Sequence, residues 1–298
     1  MQNLLLILIQ LILLAALFYV AARIFLAYRK DKKRLGSLRE LTKGFIIGLI
    51  TDTLDTWGIG SFATTTTLFK WTDFIDDDVR LPGTLTVGHV IPVIVEALFF
   101  ITAVKVELTT LIPMTTAAIL GALTGTRLTA KWNTRLVQRV LGLLLIIAAG
   151  IMIFRFFANP GSTNALHVTG LTLPWLIAGV CFNFLLGILM TMGLGNYAPE
   201  LVFFSLAGVN PLIALPVMML DAAMILTTSA GNFIHGNRVH WIGLLGLIIG
   251  GTLGVVFAAT IVTSVNLQIF KIATIIIVIY TGGMLIWESI TKTKIKRP

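Results

Sequence analysis

Asp52, Asp55, His89, Glu96 and Asp221 are ionisable side chains set within the apolar stretches of this 298-residue chain. An acidic side chain at the centre of a membrane helix costs roughly 2.5–3.5 kcal/mol on insertion scales. Four carboxyls carried at that cost point to a use. Asp52 and Asp55 are three apart and share one face of a helix. Two close carboxyls resist ionising together, which suits proton coupling. His89 and Glu96 are seven apart, two turns along one face. All five are read as proton-coupling residues; the bland alternative puts some of them at the membrane surface, where they cost little. Other chemistry finds little support. The four histidines, at 89, 167, 235 and 240, have no metal-ligand spacing, and the single Cys181 forms neither a disulfide within the chain nor a thiolate site. No nucleophile–base motif and no nucleotide-binding loop occurs, so no enzyme, metal or cofactor is expected.

The elements that would position these groups are two glycine-rich interruptions, "DTLDTWGIGS" and "TMGLGNYAPE". Backbone groups at membrane depth need partners, so a turn there must be buried in protein or line a cavity. Ser61 after Gly60, and Asn196 after Gly195, are good N-cap types, and Pro199 suits a first helical turn. Two half-helices would then start inside the membrane. Their free N–H groups and dipoles make an anion site. Trp57, Gly58, Gly60, Ser61, Thr64, Thr65, Gly193, Gly195, Asn196 and Tyr197 are the expected substrate-binding residues. The alternative is packing glycines and threonines bonded to their own helix. Packing is the preferred reading for the four-apart pairs Gly44/Gly48, Gly121/Gly125 and Gly250/Gly254.

Composition sets the frame. The chain is 57% hydrophobic and 12% charged, with mean hydropathy +0.96, against about 25% charged in soluble domains. Apolar segments at 4–27, 44–69, 82–104, 108–126, 136–158, 172–207, 211–234, 241–263 and 265–287 predict an all-α polytopic membrane protein. Pro92, Pro113 and Pro216 mark kinks or helix entries. The N-terminal segment lacks a basic residue before its apolar core and reads as an uncleaved helix. "WGIGSFA" at 57 and "MGLGNYA" at 192 match at an offset of 135, and Gly121/Gly125 match Gly250/Gly254 at 129. The chain therefore divides into an extra helix and basic loop (1–43), a first repeat (44–158), a linker (159–171), a second repeat (172–288) and a basic tail (289–298).

The net charge of +9 lies mostly in short connections and reads as topology, not as nucleic-acid binding. Residues 28–43 hold seven Lys/Arg against two acids, and the connection 127–139 and the tail are also basic. All fall inside only if each glycine-interrupted segment turns back to the side it came from. Each repeat is then a re-entrant or broken helix pair plus three spanning helices, an odd number, so the repeats are inverted as in many secondary transporters. The C-terminus is expected in the cytoplasm and the N-terminus outside, in the plasma membrane.

The stretches "GFIIGLITDTLDTWGIGSFATTTTLF", "ILGALTGTRLTAKWNTRLVQRVLG" and "GVCFNFLLGILMTMGLGNYAPELVFFSLAGVNPLIALP" resemble the sulfite exporter TauE/SafE family, also described as toluene sulfonate uptake permeases, over about 44–288. The resemblance implies transport of a small anion such as sulfite or an organosulfonate. The expected partners are that anion, the lipid bilayer and a second copy in a homodimer. Two readings compete: a proton-coupled cation or metal carrier built on the carboxylates, and a non-transporting subunit that binds a membrane partner.

Overall fold

The computed structural model of the chain describes residues 2–75, 77–128, 133–158, 169–209, 211–262 and 267–291. Most of the expected linker, the tail beyond 291, His167 and Lys131 lie outside the described residues. The described residues form eleven α-helices and no strand: α1 (Gln2–Lys30), α2 (Leu38–Thr56), α3 (Ser61–Trp71), α4 (Leu81–Ala103), α5 (Leu108–Leu128), α6 (Thr134–Ala158), α7 (Leu173–Met190), α8 (Tyr197–Leu206), α9 (Ala214–His235), α10 (Leu244–Val262) and α11 (Leu267–Ile290). All but α2, α3 and α8 are long and apolar enough to cross a bilayer, eight in number. That is the build of a polytopic membrane protein.

Each glycine-interrupted segment is two helices, not one. α2 and α7 both end in a Schellman turn, with Gly58 and Gly193 in the left-handed region. Ile59 N–H donates to Leu54 O (3.1 Å) and Leu194 N–H to Leu189 O (3.4 Å), the same bond 135 residues apart. The short helices α3 and α8 end in the same way. Phe74 N–H reaches Phe69 O past left-handed Asp73, and Val209 N–H reaches Phe204 O past left-handed Gly208.

α2 starts earlier than the apolar pattern suggests, at Leu38 instead of 44. A capping box extends it: Ser37 N–H donates to Glu40 Oε2 (2.6 Å), and Glu40 N–H donates to Ser37 Oγ (3.3 Å). Two anchors fix where the segments go. Lys43, near the start of α2, donates to Thr72 O at the end of α3, so this hairpin returns to the end it left. At the other end of the molecule, Leu171 N–H, just before α7, donates to Thr110 Oγ1 in the first turn of α5 (2.9 Å). The loop before α10 is tied to the start of α4, His240 N–H donating to Thr84 Oγ1 (2.9 Å).

Packing pairs α2 with α10, α5 with α7, α4 with α9, and α6 with α11. Small residues allow the close approaches. A methyl group at Gly44 or Gly48 would meet the α10 backbone or its lead-in, and at Gly246 or Gly250 the α2 backbone; one at Gly121 would meet Phe184 O of α7, and one at Gly187 would meet Ala118 O of α5. α4 and α9 form the buried centre, whereas α1 lies outside, packed on both, with Phe18 and Phe25 exposed.

Candidate functional site

Gly60 takes the N-cap position of α3, with φ 83°, and Ser61 is the first helical residue. The expected Ser61 cap is therefore replaced. The Ser61 N–H donates to Asp55 Oδ1 across the turn, so a carboxyl from the end of α2 caps α3. At the second turn Asn196 does hold the N-cap position of α8, yet its side chain does not cap. Its amide donates instead to Glu200 Oε1 (2.6 Å) and Met218 O (2.9 Å).

Both turns open into one cavity of about 70 Å³, room for a handful of waters at roughly 10–15 Å³ each. Asp55, Gly60 and Ser61 line it from the first half, and Gly193, Gly195, Asn196 and Tyr197 from the second. Thr66, Thr281 and Glu288 complete its polar wall. A larger groove of about 530 Å³ lies elsewhere, between the end of α1 and the loop before α10, and touches neither turn. The smaller cavity is the one where half-helix starts and carboxyls meet.

Behind the first turn is a buried chain of side chains. His89 Nδ1 lies 2.8 and 3.0 Å from the two oxygens of Asp52, and His89 Nε2 lies 2.9 Å from Thr65 Oγ1. An ionised Asp52 can only accept, and Nδ1 then carries the proton between them. α2, α4 and α3 are thereby tied together. Glu96, two turns further along α4, accepts from the Tyr197 hydroxyl of α8 (2.9 Å), a direct bond between the halves. Its other oxygen makes no close hydrogen bond, with the Thr56 hydroxyl of α2 the nearby donor. On α9, Asp221 accepts from Thr115 of α5 and Asn183 of α7.

All five ionisable residues expected to do chemistry are buried, none at a surface. They do not form one cluster. Asp55 faces the cavity, Asp52 and His89 pair behind it, and Asp221 belongs to a separate network. Of the expected binding residues, Trp57, Gly58, Thr64 and Thr65 are outside the cavity wall. Trp57 is 38% exposed. The Thr64 hydroxyl donates back to Gly60 O and Ser61 O, and Thr65 is taken by His89. Back-bonding is the general behaviour of Thr66 and Thr67 as well.

Besides Thr66 and Thr281 of the cavity wall, four participants escaped the sequence reading: Glu200, Asn183, Thr115 and Glu288. Glu200 had a usable signal, since it holds the register of Thr65, 135 residues on. Asn183 is the lone amide in an apolar helix. Thr115 and Glu288 carry no local pattern that separates them from structural residues. No group of three or more His, Cys, Asp or Glu able to hold a metal ion occurs among the described residues. No family model, curated protein or solved structure matches the chain.

Proposed function

We propose that the chain is a secondary transporter of a small anion, built as two inverted repeats in the plasma membrane with its basic connections in the cytoplasm. The observation that carries this reading is the convergence of both glycine turns on one cavity. Backbone N–H groups at the start of a half-helix favour an anion, and broken helices facing each other at a repeat interface are the binding-site arrangement of many transporters. The first hairpin's return to its own end, and the matching turns 135 residues apart, support the repeat. Resemblance to the sulfite exporter TauE/SafE family suggests a sulfur oxyanion or organosulfonate as substrate.

Coupling to protons follows from Asp55. Its carboxylate already accepts the Ser61 N–H that an incoming anion would use. A charged Asp55 both blocks that donor and repels the anion, whereas a protonated one can give it up. Anion and proton then enter together. The Asp52–His89 pair and Glu96 lie within the same field and would pass or hold that proton.

The test is uptake of labelled sulfite, thiosulfate, sulfate and a small sulfonate into proteoliposomes, with and without a pH gradient. The expected result is uptake of at least one anion, increased when the outside is acidified. Asp55→Asn should keep anion binding and lose the pH response. If none of these anions moves under any gradient, the reading fails.

A further inference from the structure

The larger groove lies where four of the apolar helices stop: α1 and α9 end beside it, and α4 and α10 begin there. The ends of membrane-spanning helices stand at the level of lipid headgroups. The groove's volume of about 530 Å³ falls in the range of small-molecule sites, roughly 300–1,000 Å³. Its walls are fixed by the fold. The Tyr28 hydroxyl donates to Trp241 O (2.9 Å), and the two rings meet edge to face. His240 N–H donates to Thr84 Oγ1 (2.9 Å). Asn237 sits left-handed in the Schellman turn that ends α9, where Arg238 N–H donates to Phe233 O (3.0 Å).

Two guanidinium groups line this groove. Arg34 donates to Ala27 O (3.2 Å) and stands over the Trp241 ring, 5.2 Å from its centre, a cation–π contact that holds it in place. Its Nε is 3.9 Å from Asp31, and Arg80 Nε is 3.7 Å from Asp77, both too long for a hydrogen bond. A guanidinium has five N–H donors in a planar fork that matches a phosphate. Among the described residues these contacts leave most of those donors open to a ligand. The Asn237 amide adds a neutral donor to the wall, and Asp31 adds an acceptor. A bare anion would use the donors and be opposed by Asp31. A phosphate ester that carries hydroxyls uses both.

We propose that this groove binds a hydroxyl-bearing phosphate ester of the glycerol phosphate kind, either as the headgroup of an anionic lipid or as a soluble molecule. Arg34 and Arg80 hold the phosphate, and Asp31 accepts from a hydroxyl. The groove shares no residue with the cavity between the two turns, so the site does not rest on the anion-transport reading.

The test is the thermal unfolding midpoint of the purified full chain in detergent, at fixed pH and ionic strength. Short-chain phosphatidylglycerol, phosphatidylcholine of the same chain length, glycerol 3-phosphate and sodium sulfate are titrated in turn. The expected result is a saturable rise of several degrees with phosphatidylglycerol, glycerol 3-phosphate or both, and none with phosphatidylcholine or sulfate. A rise with the lipid alone assigns the site to a headgroup, and one with glycerol 3-phosphate alone to a soluble ester; both support the proposal. Arg80→Gln, at an exposed position, should raise the half-saturating concentration about fivefold, the worth of one basic residue at an anionic surface. Arg139→Gln, outside the groove, should leave it unchanged. No saturable rise with either ester overturns the proposal, as does an equal rise with sulfate. A response unaltered by Arg80→Gln, or weakened equally by both variants, also overturns it, the latter because it reports surface charge in general. Should Arg80→Gln fail to fold, Asn237→Gly takes its place in the same comparison, since glycine keeps the left-handed backbone and removes the amide.

Discussion

The two halves solve the same problem with opposite chemistry. In each, a central helix is tied to the first helix of its hairpin by a buried polar contact: α4 to α2 through His89 and Asp52, α9 to α7 through Asp221 and Asn183. The first contact joins an acid to a base, so a protonated His89 can set a positive charge against Asp52. The second joins an acid to an amide, and a further acid, Glu200, stands nearby. The register matters here. At the position of Thr65, which serves His89, the second half has Glu200. Two turns of the same geometry are thus backed by an acid–base pair in one case and by acids and an amide in the other.

That contrast can be broken most directly at His89. His89→Leu leaves Asp52 buried without its base and should destabilise by about 3–5 kcal/mol, as for one partner removed from a buried pair. Removing both, as Asp52→Asn with His89→Leu, should recover part of the loss; additive losses in the melting of the single and double variants would mean that the two do not act as a pair. The packing seams should behave alike in both halves. Gly48→Val and Gly121→Val each push a side chain into a neighbouring helix backbone and should cost about 1–3 kcal/mol. A large difference between them in thermal melts would show that one seam is looser. The opposite number of His89→Leu is Asp221→Asn. Asn has one acceptor oxygen for the two buried donors, Thr115 and Asn183, so this exchange should cost about 1–3 kcal/mol, less than His89→Leu. A loss as large as that of His89→Leu would end the comparison. The smallest expected effect concerns neither network: Ser37→Ala removes the cap of α2 and should cost about 1 kcal/mol, read from the same melts.

Much of this frame was legible in the chain. The apolar lengths, the two interrupted segments and the close-packing glycines are all periodic or repeated features, and repetition is what a single sequence displays best. The start of α2 was missed because Ser37 and Glu40 lie in a stretch whose positive charge dominated the reading. The division of labour among the acids was less accessible. Asp52 and Asp55 share a helix face, yet one pairs with His89 on α4 and the other reaches across a turn to Ser61. Those partners are fixed by how helices cross, and spacing along one helix carries no record of that. Four successive threonines suggested hydroxyls for a solute; most of them turn back to their own backbone, because a helix always offers a carbonyl four residues earlier.

The bond from Ser61 to Asp55 has one more consequence. A re-entrant hairpin would ordinarily need something outside itself, a solute, water or a second domain, to silence the backbone at its tip. Here the tip is closed by a side chain only six residues away. The backbone at this tip therefore finds its partner within the same hairpin and needs no ligand to supply one.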